Sequence, residues 1–149
     1  MVVTAAPREA PAFVTPMAAQ SVKSLPEGEE WLYEPKLDGY RALLLKDGRQ
    51  VRILSRNEKD LTQMYPGIRA AALHLHAAQV VADGEIVALA EDGRPSFQAL
   101  QHRSAHPRHL IVFYAFDVLH LSGEDFRPLS LIERRRRLER LLRGGWEMG

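Results

Sequence analysis

Glu34-Pro35-Lys36-Leu37-Asp38-Gly39-Tyr40-Arg41 is the stretch on which the reading of this chain turns. It sets one lysine between the end of an expected strand, Glu30 to Glu34, and a glycine turn, with an acid two residues on and an arginine five residues on. An unperturbed lysine has a pKa of about 10.4. To act as a nucleophile near neutrality its amine needs cationic neighbours or desolvation. Taken alone, a K-x-D-G pattern is most often a surface turn with a salt-bridged lysine. Its surroundings decide between the two.

Tyr40 to Lys46 is an apolar strand pattern, and Asp47-Gly48 is a two-residue hairpin signal. Arg49 to Ser55 returns with Val51 and Ile53 on one face. The lysine turn therefore leads straight into a hairpin. Pro66 suits the first position of a helix that continues from Ile68 to His76. Gln79 to Ala82 and Ile86 to Ala90 are two short strand patterns flanking Asp83-Gly84-Glu85, with a turn at Glu91 to Arg94. Ser96 to His102 is expected to be a short helix with Phe97 and Leu100 inward. His109 to Leu121 holds the strongest buried-strand signal, Leu110 to Phe116. Leu131 to Arg143 is an amphipathic helix with Leu131, Leu138 and Leu142 on one side. Ser130 and Glu133 have capping-box spacing, and Gly144-Gly145 terminates the helix. Hairpins mixed with isolated helices point to an α+β fold.

At 149 residues the chain has room for one domain with a real core. Residues 1–28, rich in Pro, Ala and Ser, form an extended lead-in, and residues 29–149 form the domain. The net charge of +1 gives no global field toward a polyanion, so local clustering must decide. The absence of cysteine excludes disulfides, thiolate metal sites and cysteine nucleophiles, and fits a cytoplasmic setting. No run approaches the length of a membrane span, and no secretory signal pattern opens the chain.

Four features recur at the ends of expected strands: Lys36 to Arg41, Ser55-Arg56-Asn57, Asp83-Gly84-Glu85 and Tyr114-Ala115-Phe116-Asp117. They supply a lysine, two arginines for phosphate oxygens, a carboxylate for a hydroxyl or metal, and an aromatic ring for a base. That kit suits attack on a nucleoside triphosphate. In this order the motifs resemble the covalent nucleotidyltransferases, the polynucleotide ligases and mRNA capping enzymes. Asp83 to Leu89, Gly93 to Gln101 and Phe113 to Asp117 are most similar to the ligase domain of bacterial ATP-dependent DNA ligases of the end-joining ligase D type.

The resemblance implies an incomplete nucleotidyltransferase domain, antiparallel sheets with flanking helices, using ATP and Mg2+ or Mn2+ on nicked or broken DNA. It makes Lys36 the residue that forms lysyl-AMP. Asp38 and Arg41 match the positions that face the DNA ends, and Arg41 and Arg56 match those near the nucleotide. Glu85 takes the place of the glutamate near ribose and metal. Phe116 matches the ring that stacks on adenine, and Glu34 the contact to adenine before the lysine.

The family pattern goes on beyond the arginine helix. A motif IV strand with a metal-binding glutamate follows, then motif V lysines and an OB-fold domain, and no lysine follows Lys59 here. The resemblance thus leaves open an active adenylating domain, an inactive nucleotide- or DNA-binding remnant, and an RNA ligase or capping-type enzyme. It also leaves room for end-joining proteins or an OB-fold domain as partners. The histidines show no zinc-ligand spacing; His102, His106 and His109 fall around a basic loop, Arg103 to Arg108. The arginines between Arg134 and Arg143 form a solvated helix face or, less simply, a phosphate-contacting one.

Overall fold

The computed structural model describes residues 10–102 and 109–143. The expected helix stop at Gly144-Gly145 and the Arg103 to Arg108 loop lie outside these residues. Five antiparallel strands make one sheet in the order β2-β1-β3-β4-β5. They are β1 (Tyr40–Asp47), β2 (Gln50–Ser55), β3 (Gln79–Leu89), β4 (Leu110–Leu121) and β5 (Glu124–Asp125). Among the described residues three α-helices, α1 (Pro66–Leu73), α2 (Phe97–Gln101) and α3 (Leu131–Arg143), and a short 3-10 helix, Thr62–Met64, accompany them.

β1, flanked by β2 and β3, explains the arrangement. Its run Ala42-Leu43-Leu44-Leu45 has no polar alternation, which is what a strand covered on both faces requires. Ala42 and Leu44 join Val51, Ile53, Ile86 and Ala88 beneath α1 and α2. On that same face Val80, Ala82 and Val118 pack against Leu138 and Leu141 of α3. Leu43 and Leu45 point the other way, into a smaller cluster with Leu54 and Val81 that Phe13 and Leu119 cover. Residues 10–28, which carry no helix or strand, thus contribute one side chain to the second face.

Several elements differ from the sequence expectation. Glu30 to Glu34 is not a strand: it runs without a ladder partner, Trp31, Leu32 and Tyr33 remain exposed, and the Tyr33 hydroxyl donates to the Pro26 carbonyl at 2.6 Å. α1 stops at Leu73, because Lys46 Nζ reaches over from β1 and donates to the carbonyls of Leu73 and Leu75 at 3.3 and 2.6 Å. His74 and His76 therefore lie beyond the helix. The two expected strands around Asp83-Gly84-Glu85 are one eleven-residue strand. Phe97 is not inward; it meets the Tyr40 ring edge-on at 5.6 Å while Ala99 and Leu100 take the buried positions. β4 is only half-buried, since between Leu110 and Val118 its outer edge has no strand partner among the described residues.

α3 begins as expected, with Ser130 N–H donating to Glu133 Oε2 and Glu133 N–H to Ser130 Oγ. Its inward stripe is half-buried Arg134 with buried Leu138 and Leu141, spaced i, i+4, i+7, rather than Leu131, Leu138 and Leu142. A bond from Arg134 to the sheet sets that rotation.

β3 and β4 approach each other at Gly84, where the ladder shifts register after Asp83. A Cβ on Gly84 would lie 2.4 Å from the Tyr114 carbonyl oxygen and 2.5 Å from the Phe113 ring. Backbone cannot yield as a flexible side chain does, so only glycine permits this spacing. Gly84→Ala is expected to lower the unfolding free energy by about 3 kcal/mol, the upper end for overpacking. The shift of the urea midpoint measures it, and a midpoint equal to wild type would contradict the contact.

Candidate active site

Strand register gathers the site. Arg41 on β1 lies opposite Glu85 on β3, which lies opposite Tyr114 on β4. Ser55 is the partner of Ala42, so Arg56 follows at the same level, one step beyond β2. Ser55 Oγ accepts from the N–H groups of Asn57 and Lys59 and shapes the turn that exposes Arg56. Alternation puts Arg41, Asp83 and Glu85 on the face of Leu43, Leu45 and Val81, away from the helices. That face is apolar at one end and charged at the other.

Gly39 fastens the lysine turn to this charged end. A Cβ there would lie 2.1 Å from the Ile86 carbonyl oxygen and 2.8 Å from Val87 Cγ1. The glycine of the K-x-D-G pattern thus lets the turn sit directly on β3. Lys36 is exposed, with Nζ 2.5 Å from Asp38 Oδ1. The hydrogen bond that Lys36 donates to Asp38, and then the Asp38 charge, hold the ammonium above its ordinary pKa, and Glu85 adds to this. Burial raises the Glu85 carboxyl, with Arg41, the Gly39 N–H and Lys36 pulling it back.

Arg41 points along the sheet. Its Nε and Nη2 donate to the two oxygens of buried Asp83 at 2.7 and 2.8 Å, and its guanidinium lies over the Phe116 ring, 4.6 Å from the centroid. Asp83 is the cross-strand partner of Asp117. Asp117 accepts from Arg134 Nε and Nη2 at 2.8 and 2.9 Å and from the Val118 N–H at 2.8 Å. Each carboxylate of the facing pair therefore has its own bidentate arginine.

A cavity of about 320 Å³ opens beside the lysine turn, at the small end of ligand sites. Glu34, Leu37, Tyr114, Phe116 and Arg135 are among its walls, and Arg41 is not. Phe116 touches both. Glu34 is ion-paired with Arg135 of α3, so the exposed segment before Lys36 is tied to the helix. A larger groove of about 690 Å³ lies on the helical face between α1 and α3, lined almost wholly by apolar side chains. Among the described residues its lining offers few polar groups for a nucleotide; the smaller cavity has them.

Of the residues chosen from sequence, Lys36, Asp38, Arg41, Glu85 and Phe116 come together, Glu34 reaches the cavity, and Arg56 stands at the same end of the sheet. Asp83, Asp117, Arg134 and Arg135 were missed as site residues. A charge inside an apolar strand does signal a buried partner, but which of many arginines answers it depends on register. Among the described residues no group of three His, Asp or Glu gathers as metal ligands. Glu85 suits the alternative, a magnesium ion held by one carboxylate and substrate phosphates.

The antiparallel sheet with flanking helices, a lysine on a glycine turn and an aromatic-walled cavity make a nucleotidyltransferase-like α+β domain. Comparison with known proteins is specific: residues 16–147 match the family described as ATP dependent DNA ligase domain, and the chain belongs to that family. It is 43% identical over 135 residues to the multifunctional non-homologous end joining protein LigD of Pseudomonas aeruginosa, covering 90% of this chain and 16% of that one. With DNA ligase C2 of Mycolicibacterium smegmatis it shares 40% identity, over 87% of this chain and 38% of the relative. The crystal structure of the ligase domain of M. tuberculosis LigD superposes with a TM-score of 0.67 at 40% identity, covering 74% of this chain and 36% of that one. A mycobacterial DNA ligase D complexed with ATP and MES gives 0.66 at the same identity and coverage. The chain thus spans only a fraction of the length of its relatives.

Two outcomes follow from the charges. Asp83→Ala leaves Arg41 part-buried and unpaired, and is expected to cost about 3 kcal/mol. The double variant Asp83→Ala/Arg41→Met should cost less than the sum of the singles in urea denaturation. Because the folded Glu85 pKa is raised, the native state holds that proton more tightly than the unfolded chain. Stability is therefore expected to fall as pH rises from about 4.5 through the raised native value. Glu85→Gln should remove that fall from the pH dependence of the urea midpoint.

Proposed function

We propose that this chain is the nucleotide-binding part of an ATP-dependent DNA ligase and carries the lysine that takes up AMP. The observation that carries the reading is the seating of the Lys36 turn, through Gly39, on the strand that bears Glu85, beside the Phe116 cavity. Membership of the ligase family and likeness to a ligase complexed with ATP support it.

In the proposed step, neutral Lys36 Nζ attacks the α-phosphorus of ATP. The N–P bond forms, the bond to the bridging oxygen of the β-phosphate breaks, pyrophosphate leaves with the electron pair, and the amine proton passes to solvent. Phe116 stacks on adenine and Glu34 contacts its edge. Arg41 and Arg56 lie toward the phosphates. Glu85 is the residue to hold magnesium, whose chemistry when bound is to neutralise the phosphate charge. Asp38 and Arg41 then face the ends of a nicked or broken duplex. The relatives named for non-homologous end joining support DNA repair as the setting.

One observation favours a second reading, a nucleotide- or DNA-binding unit without turnover of its own. Lys36 is exposed and its nearest charge is an anion, which keeps the amine protonated rather than releasing it. Incubation with magnesium and ATP labelled at the α-phosphate separates the two. The first reading expects an acid-labile label that survives denaturation and is lost in Lys36→Ala. Its single-turnover rate should rise about tenfold per pH unit below the lysine pKa, since only the free amine attacks. Asp38→Asn should move that profile to lower pH. Nucleotide binding with no label at any pH would establish the second reading.

A further inference from the structure

Arg135 takes no part in the proposed adenylation step, yet its position is closely fixed. Its neighbour Arg134 clamps α3 to Asp117, and Leu138 and Leu141 bury the same side of the helix. Arg135 is thereby delivered to the cavity wall, where one end of its guanidinium pairs with Glu34. Its Nε is buried and has no hydrogen-bond partner among the described residues. A partly exposed ion pair contributes little to stability, about 0.2–1 kcal/mol. A buried donor left unmade is a cost. Stability alone therefore gives a weak account of this arginine; its place on the cavity wall, with its guanidinium end beside Glu34, gives a better one.

The chemistry of the pair says which ligand. A carboxylate only accepts hydrogen bonds and a guanidinium only donates them. Glu34 and Arg135 side by side present an acceptor next to a donor. The purine edges differ in this respect: adenine offers the N6 amine beside the N7 acceptor, whereas guanine offers two acceptors, O6 and N7. The pair complements adenine. Guanine would set O6 against the Glu34 carboxylate. Without Glu34 the same arginine would be free to fork onto O6 and N7, the commonest arginine contact to guanine.

We propose that Arg135 is a specificity-determining residue of the nucleotide site, reading the purine edge together with Glu34 so that ATP is taken and GTP refused. This rests on the nucleotide reading above and names the residue that selects the base. The test is equilibrium titration of the whole chain with ATP and with GTP, in the presence of magnesium, by displacement of a fluorescent nucleotide. Wild type is expected to prefer ATP by about tenfold or more, as for one well-made base-edge pair. Arg135→Met should bring the two affinities to within about threefold. Glu34→Ala should turn the preference toward GTP. Glu34 lies in an exposed, unladdered segment, so that variant still tests the proposal if Arg135→Met disturbs α3. An ATP-to-GTP ratio unchanged in both variants, even with overall affinity lowered, would show a merely structural ion pair and overturn the proposal. Failure of wild type to bind either nucleotide would overturn the site reading and this inference with it.

Discussion

Two buried or half-buried carboxylates, Asp83 on β3 and Asp117 on β4, face each other across the strand ladder. Like charges in that position repel, and neither can be left unpaired away from water. Each is answered by a bidentate arginine from a different element: Arg41 from β1 for Asp83, and Arg134 from α3 for Asp117. The four residues tie three strands and a helix into one arrangement. Removing any one charge would leave another unpaired, so the set stands or falls together.

The site inherits its geometry from that network. Arg41, held by Asp83, lies over Phe116 and fixes one wall of the cavity. Arg134 sets the rotation of α3, which brings Arg135 to Glu34 and so anchors the unladdered segment that leads to Lys36. Gly39 seats the lysine turn on β3 from the other side. Lys36, the proposed nucleophile, is the least constrained member, exposed and, among the described residues, hydrogen-bonded to Asp38. Its pKa is pushed in the direction opposite to what attack requires. The scaffold around it is built, and the proposed attack would need cations brought by the substrate or by other groups to free the amine.

Much of this was legible in the sequence. The hairpin of β1 and β2, the proline-led start of α1, the strand at Leu110 to Leu121 and the capping box of α3 follow from local rules that need no distant partner. The order of the motifs at Lys36, Arg56, Glu85 and Phe116 pointed to the ligase family, and the structure brings them to one end of a sheet. Local rules failed where a contact far along the chain overrode them. Lys46, from β1, ends α1 at Leu73. Arg134 turns Leu141 rather than Leu142 to the core. Trp31 to Tyr33 has strand-like residues but no neighbouring edge to bond.

By itself the sequence determined the class of fold and the family, and named the residue types of a candidate site, because hydrophobic period, turn chemistry and motif order are written in neighbouring residues. Only the tertiary structure decided which charges pair. Asp83, Asp117, Arg134 and Arg135 acquire their roles from strand register, from the irregularity beside Gly84 and from the rotation of one helix. Those depend on packing between segments tens of residues apart, where a shift of a single position would exchange the partners.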